Sequence, residues 1–144
     1  MRIRTIAAAL TAATFACAPA RRPARENATM TTLEWKGQQG GPGEPGSVVA
    51  SDRAAWEDAW RRVGADAPAL DFAAYVGVMV FLGQKPTGGY SVVFDEPVAR
   101  GDDLVVRYRA PKPGGFAAQV LTRPWKARAF ARPKGSVIVE AAAP

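Results

Sequence analysis

The apolar segment Tyr75-Val-Gly-Val-Met-Val-Phe-Leu82 constrains the fold of this chain more than any other part of the sequence. Apolar residues stand there at successive positions, without the alternation that marks a strand with one wet face. A near-continuous run of this kind is typical of a strand covered on both faces. We therefore predict a central strand over residues 75–82, with protein packed on each side of it.

A glycine- and proline-rich segment, Gly83-Gln-Lys-Pro-Thr-Gly-Gly-Tyr90, follows that strand directly. Pro86 suits the second position of a tight turn and Gly88 the fourth, and both Gly88 and Gly89 permit backbone angles that a side chain would forbid. A second apolar segment, residues 90–94, begins at once with an aromatic residue. The pattern predicts a stiff hairpin tip with an exposed backbone, which favours contact with another protein over catalysis.

One amphipathic helix is predicted over residues 51–63, and its apolar face consists of Trp56, Trp60 and Val63. Ser51 can cap the first turn, Asp52 suits the positive end of the helix dipole, and Gly64 offers a left-handed residue to end the helix. We expect the tryptophan face to pack onto a sheet, since burial of each ring is worth about 2–3 kcal/mol.

The remaining segments indicate several short strands separated by turns and loops. They cover residues 33–35, 47–50, 104–109, 117–121, 126–132 and 136–139, of which 47–50 could also lead into the helix. In residues 104–109 apolar side chains alternate with Arg107 and Arg109, which indicates an antiparallel strand with one solvated face. The predicted class is α+β: a mostly antiparallel curved β-sheet, or an open sandwich or barrel, with one packed helix.

The absence of histidine from all 144 residues narrows the functions that the chain can perform. It excludes serine–histidine and cysteine–histidine nucleophile pairs and histidine-bearing zinc sites. The single cysteine, Cys17, lies near the N-terminus, so residues 18–144 contain no thiol. The acid pairs Asp95-Glu96 and Asp102-Asp103 point to opposite strand faces or serve as turn caps. We predict a protein that is not an enzyme and uses no metal or cofactor.

The net charge of +6 is concentrated outside the predicted globular part. From Met30 onward, 14 Lys and Arg residues stand against 12 Asp and Glu residues, which leaves a charge of only +2. A nucleic-acid-binding fold usually carries a basic patch interleaved with aromatic residues. One loose basic run is formed by Arg123, Lys126, Arg128, Arg132 and Lys134. A solvated strand face is the favoured interpretation of this run, and no nucleic-acid partner is expected.

Residues 1–20 have the pattern of a secretory signal peptide. Arg2 and Arg4 precede an apolar run over residues 5–16, which is too short to span a membrane as a helix. Thr14-Phe-Ala-Cys17 resembles a bacterial lipoprotein box that lacks the usual leucine, and ordinary cleavage after Ala20 is the alternative. We predict an extracytoplasmic protein, in the periplasm or at the cell surface, with a lipid anchor at Cys17. Residues 21–32 would form a flexible tether to a domain over residues 33–144.

Five segments together resemble the PrcB C-terminal domain family. They are Leu33-Glu-Trp35, Ala54-Ala-Trp-Glu-Asp-Ala-Trp60, Leu70-Asp-Phe72, Phe81-Leu-Gly-Gln-Lys-Pro-Thr-Gly-Gly-Tyr-Ser91 and Gln119-Val-Leu-Thr-Arg-Pro-Trp125. The family takes its name from an accessory lipoprotein of a bacterial surface protease complex. The resemblance implies a secreted or lipid-anchored protein that binds or stabilises a protease and has no catalytic residue of its own.

Three loop motifs are also similar to those of chagasin-type inhibitors of cysteine proteases, which present three loops from an immunoglobulin-like sandwich. Lys85-Pro-Thr-Gly-Gly-Tyr90, Lys112-Pro-Gly-Gly115 and Arg123-Pro-Trp125 occur in the inhibitors' order. Lys85 and Gly88 depart from the inhibitor motif, and the spacing from the first loop to the third is shorter. The similarity implies that a proline-stiffened loop enters a protease cleft at little entropic cost, with Trp125 as an aromatic anchor.

We predict that the loops at 85–90, 112–116 and 123–125 meet at one end of the domain and bind a protein partner. The predicted partner-binding residues are Lys85, Pro86, Thr87, Gly88, Gly89, Tyr90, Pro113, Gly114, Gly115, Arg123, Pro124 and Trp125.

Two alternatives to a protease-binding surface stay open. The loops can be plain turns of a structural envelope domain without a specific protease partner, with Tyr90 in the core and Trp125 over the end of the sheet. A glycan or small-ligand site would instead need an open pocket lined by Trp35, Trp125 or Tyr75.

Overall fold

The computed structural model describes residues 33–143, which contain eight strands and one helix. The elements are β1 Glu34–Gly37, β2 Pro45–Ala50, α1 Arg53–Arg61, β3 Tyr75–Leu82, β4 Val93–Phe94, β5 Val98–Arg100, β6 Asp103–Arg109, β7 Trp125–Ala131 and β8 Val137–Ala141. The predicted signal peptide, the tether and Cys17 lie outside the described residues. Within residues 33–143, no helix is long and apolar enough to cross a membrane.

The strands form two sheets that pack face to face as an open sandwich. The first sheet has the order β1-β7-β3-β2, and all of its pairs are antiparallel. In the second sheet β6 is central: β8 pairs with it in parallel over residues 104–108, and β4 and β5 pair antiparallel near its two ends. Since β8 occupies one edge of β6, β4 and β5 share the other edge. The predicted β-rich architecture with one helix is confirmed, as two sheets and not as a closed barrel.

β3 is the strand that joins the layers, and the predicted burial of both its faces is confirmed. Val76, Val78 and Val80 point toward the second sheet, where they pack with Phe94 and Val106. The alternate residues, Met79 and Phe81, point the other way and pack against α1. Both faces of β3 lie inside an apolar core, which explains why its sequence shows no alternation.

The helix α1 spans Arg53–Arg61, two residues shorter at each end than the predicted 51–63, and Asp52, not Ser51, caps it. Asp52 has an extended backbone, and its Oδ1 accepts a hydrogen bond from the N–H of Ala55 at 2.8 Å. The predicted apolar face is confirmed by three residues that are all buried, Trp56, Trp60 and Val63. Gly64 ends the helical segment with a φ of 70°, as its position in the sequence predicted.

Two strand predictions need correction, and one strand was not predicted. Only Val93–Phe94 of residues 90–94 is a strand, and residues 117–121 form none. β5 was not predicted, because its three residues are all exposed and show no alternation of apolar and polar side chains. The closing strand β8 pairs in parallel with β6. The other pairs of the named strands are antiparallel, so the prediction of a mostly antiparallel arrangement is confirmed. Short pairings of this kind depend on which distant strand is available, and a local pattern does not contain that information.

Candidate protein-docking surface at one end of the sandwich

Three connecting segments meet at one end of the sandwich, which we call the loop end: residues 38–44, 83–92 and 110–124. The pairing of the strands places them there. Phe81 near the end of β3 is paired with Trp125 at the start of β7, which in turn is paired with Gly37 at the end of β1. In the second sheet, Val93 at the start of β4 is paired with Arg109 at the end of β6. The predicted loops at 112–116 and 123–125 are therefore two parts of a single crossover.

The segment after β3 is not the hairpin tip that the sequence predicted. Both edges of β3 are already occupied, one by β2 and the other by β7. The chain therefore cannot fold back beside β3, and it crosses to the second sheet. Lys85 makes an isolated antiparallel bridge to Thr122. The nitrogen of Lys85 lies 2.8 Å from the carbonyl oxygen of Thr122, and the nitrogen of Thr122 lies 3.0 Å from the carbonyl oxygen of Lys85. The loop is thus held by the other crossover and not by a hairpin partner.

Further bonds join these two crossovers. The N–H of Gly88 donates to the carbonyl of Ala118 at 2.9 Å, and the buried hydroxyl of Thr122 donates to the carbonyl of Thr87 at 2.9 Å. Gly89 has a φ of 86°, and a Cβ placed on it would lie 2.8 Å from Cβ of Pro113. The close approach of the two segments therefore requires glycine at position 89.

The third segment, residues 38–44, clamps both crossovers through two glutamines. The side-chain amide of Gln38 donates to the carbonyl of Tyr90 at 2.8 Å, and that of Gln39 donates to the carbonyl of Leu121 at 3.0 Å. The carbonyl of Gln39 accepts the indole N–H of Trp125 at 2.9 Å. Sequence reasoning treated this segment as a plain loop. The feature of the sequence that could have indicated this role is the pair Gln38-Gln39, which stands in an otherwise glycine- and proline-rich stretch.

The predicted site residues divide into exposed and supporting groups. Exposed residues at the loop end are Pro86, Gly89, Gly114, Gly115 and Arg123, and partly buried ones are Lys85, Thr87, Gly88, Tyr90, Pro113 and Trp125. Pro124 is fully buried, and its carbonyl accepts the N–H of Leu82 at 3.0 Å. Pro124 thus supports the loop end from inside and offers no exposed surface.

Trp125 belongs to a cluster that contains all four tryptophans of the chain. Its ring lies edge-on to Trp60 at a centroid distance of 5.3 Å, and Trp60 contacts Trp35 and Trp56 in the same manner at 5.8 and 5.5 Å. Edge-to-face pairs of this kind contribute about 0.5–1.5 kcal/mol each beyond the burial of their area. The partly buried Trp125 ring is therefore tied into the core beneath the loop end.

The pocket that a glycan site would need is not formed by the predicted aromatic residues. Trp35 and Trp125 pack against the tryptophans of α1. Tyr75 is partly exposed, but it lies at the opposite end of β3 and is paired with Ala131. The three rings do not converge on one cavity.

The loop end exposes three large apolar side chains, and two of them fell in a segment predicted as a strand. Phe116 is fully exposed, with a relative accessible surface of 110%, and Val120 and Leu121 are 49% and 60% exposed. A single exposed apolar residue needs no explanation, but a group on one loop marks an interaction surface. We call Phe116, Val120 and Leu121 the apolar patch.

The charges of the loop end are mostly positive. Residues 83–92 and 110–124 contain three cations, Lys85, Lys112 and Arg123, and no carboxylate. The neighbouring segment 38–44 contributes one acid, Glu44. Within the described part of the chain, none of the three cations forms an ion pair. Their charge is therefore available to a partner.

The other residues of the predicted basic run serve local contacts. Lys126 forms an ion pair with Glu34 at 2.7 Å, and the guanidinium of Arg128 lies 4.9 Å from the ring centre of Phe130. Arg132 donates to the carbonyls of Ser51 and Phe72 at 2.9 and 2.8 Å. These contacts give three of the basic side chains a role in the fold itself.

Comparison with known protein families gives a match that covers two of the three segments of the loop end. Residues 77–129 match the PrcB C-terminal family. The match runs from β3 into β7 and includes both crossovers of the loop end, so the predicted resemblance to PrcB C-terminal domains is confirmed for residues 77–129. The resembling segments at 33–35, 54–60 and 70–72 lie outside the match. A search of curated proteins and a search of solved structures found no match.

Proposed function

We propose that the domain is a non-catalytic binding module that docks onto another protein through the loop end and works as part of a protease complex. The apolar patch carries this proposal, because three large side chains stand exposed on one crossover, which is hydrogen-bonded to the neighbouring crossover at Ala118 and Thr122. The match to the PrcB C-terminal family supports the association with a protease.

The construction of the loop end suits binding with a small loss of entropy. Backbone bonds from Lys85 and Gly88 and the glutamine clamps hold the crossovers together before any partner arrives. A surface that is already ordered loses less conformational freedom on association, so more of the contact energy becomes affinity. Exposed aromatic residues are also frequent hot spots of protein interfaces. Phe116, and not the partly buried Trp125, is therefore the proposed anchor.

The proposed setting is outside the cytosol, with Cys17 carrying a lipid anchor. This follows from the sequence pattern of residues 1–20, since an attached domain would act on partners at the cell envelope. Stabilisation of a protease is the favoured role. Inhibition through the loop motifs at 85–90, 112–115 and 123–125 stays a prediction that the same experiments test.

Photochemical cross-linking tests the proposed docking surface directly. A photoreactive phenylalanine analogue replaces Phe116 in the full chain, expressed in the cells that normally make the protein. The control carries the analogue at Val98, which is 50% exposed at the other end of the second sheet. We expect a peptidase or a subunit of its complex to be joined to position 116 and not to position 98. Equal products from both positions, or no peptidase among the position 116 products, would refute the proposal.

The captured peptidase then separates stabilisation from inhibition. Its activity and its half-life at raised temperature are measured with and without the full chain. A longer half-life of the peptidase with an unchanged initial rate identifies a stabilising accessory protein. A lower initial rate that is restored by added substrate identifies a competitive inhibitor.

A further inference from the structure

We propose that the partner's contact surface is an apolar recess rimmed by carboxylates, which receives Phe116. This inference rests on the proposed function and specifies the chemistry of the partner at the same surface. It follows from three observations: the form of the apolar patch, the charges around it, and the free backbone of the segment that carries it.

The apolar patch projects outward, so the complementary surface must be concave. Phe116 is more exposed than in an extended reference chain, at 110%, and therefore has no covering neighbour in the described structure. Val120 lies close to the adjoining crossover, since a Cβ built on Gly88 would be 4.0 Å from its Cγ1. Phe116 is thus a protruding side chain, and a recess is the shape that buries it.

Three cations share the loop end with the apolar patch, and none of them forms an ion pair within the described residues. Lys112 precedes Pro113, which contacts the Gly89 backbone, and Arg123 follows the patch two residues after Leu121. Lys85 is bridged to Thr122 between them. Positive charges around an apolar centre favour a partner with negative charges around its recess, because opposite potentials speed association and exclude wrong partners.

Two acids on or beside the strands that lead to the loop end already have partners. Asp95, just beyond β4, forms an ion pair with Arg109 at 2.8 Å. Glu34 on β1 is paired with Lys126. The carboxylates that complement Lys85, Lys112 and Arg123 must therefore come mainly from the partner, with Glu44 as the one local acid on the loop end.

A protein partner fits this segment better than a lipid surface, although a phenylalanine among cations could also meet an anionic membrane. Within the described structure, no backbone N–H or C=O of residues 111–117 is hydrogen-bonded to protein. Burying such unpaired groups in hydrocarbon is costly. A protein surface offers its own donors and acceptors, so the free backbone adds to the contact.

Selection from a library of designed ankyrin-repeat proteins tests the chemistry, because these proteins present concave surfaces. Binders are selected on the full chain and retained only if Phe116→Ser weakens them by about thirtyfold or more, which is the loss typical of a hot-spot residue. We expect their variable positions to be enriched in Asp and Glu around an apolar centre, and their affinity to fall with added salt. A parallel selection on the K85Q/K112Q/R123Q variant should lose the acidic enrichment.

Three results would overturn the inference. Phe116-dependent binders could have neutral or basic contact surfaces. The full chain could bind phosphatidylglycerol vesicles in a Phe116-dependent manner, which would identify a membrane surface. It could also dimerise through Phe116 in analytical ultracentrifugation, which would identify a second copy as the occupant. If cross-linking at position 116 captures no peptidase, the proposed function is refuted. The inference about the chemistry of the partner's surface is then still decided by the selected binders.

Discussion

At the scale of single residues, Phe116 allows the proposed binding role to be tested separately from the fold. It has no covering neighbour, so its replacement removes little from the folded state. We expect Phe116→Ser to change the free energy of unfolding by less than about 0.5 kcal/mol, measured by urea denaturation. Val98→Ser, also at an exposed apolar residue, is the control. The Val98→Ser variant should still bind the peptidase, whereas the Phe116→Ser variant should no longer capture it. A large loss of stability in Phe116→Ser would show that the side chain belongs to the fold.

Gly89 is the residue where the backbone itself limits the sequence. Its φ of 86° and its close approach to Pro113 both oppose a side chain. We expect Gly89→Ala to destabilise the protein by about 1–3 kcal/mol, measured by thermal or urea unfolding. Gly114→Ala is the matched control, because a Cβ there meets open space and its φ is not positive. Equal effects of the two substitutions would contradict this account of the crossover contact.

At the scale of elements, the start of α1 depends on one carboxylate. Asp52 accepts the N–H of Ala55, whereas the side chain of Ser51 lies outside the helix and only its carbonyl is used, by Arg132. We expect Asp52→Ala to lower the free energy of unfolding by about 1 kcal/mol. Ser51→Ala should change it much less. If urea titrations ranked the two variants the other way, the helix would begin at Ser51, as first predicted from the sequence.

The contact between α1 and the first sheet depends on the absence of a side chain at Gly77. A Cβ built there would overlap the six-membered ring of Trp56, whose indole N–H is held by the carbonyl of Pro68 at 2.9 Å. We expect Gly77→Ala to cost about 1–3 kcal/mol, the usual range for an overpacked core. Gly46→Ala on β2 points into open space. That control should leave the free energy of unfolding unchanged or slightly higher. If Gly77→Ala also left it unchanged, the helix would be able to shift on the sheet.

At the scale of the whole molecule, protection from hydrogen exchange should fall from the shared strand β3 toward the loop end. β3 is paired on both edges and buried on both faces, so its amides should exchange with solvent only when the whole domain unfolds. Amides of residues 114–117 have no bonded partner in the described structure and should exchange close to the rate of an unfolded chain. Hydrogen exchange followed by NMR measures both. Protection at 114–117 without a partner would show that another segment covers the apolar patch.

Much of the fold could be predicted because it is encoded in local patterns. The continuous apolar run of β3, the helical spacing of Trp56 and Trp60, and the glycine at position 64 each report directly on burial or backbone angle. The candidate site was predicted in part. The three loop motifs were identified, but Pro124 turned out to be buried, and Val120 and Leu121, placed in a predicted strand, turned out to be exposed.

The sequence by itself determined which segments must be buried and where the chain must turn, because side-chain polarity and the freedom of glycine and proline act over a few residues. Only the tertiary structure decided that β3 pairs with β2 and β7 and not with the strand that follows it. That long-range choice leaves no edge free for a hairpin at Leu82. The chain therefore crosses between the sheets twice at the same end, and the crossovers place Phe116 in solvent at the end that also carries three cations.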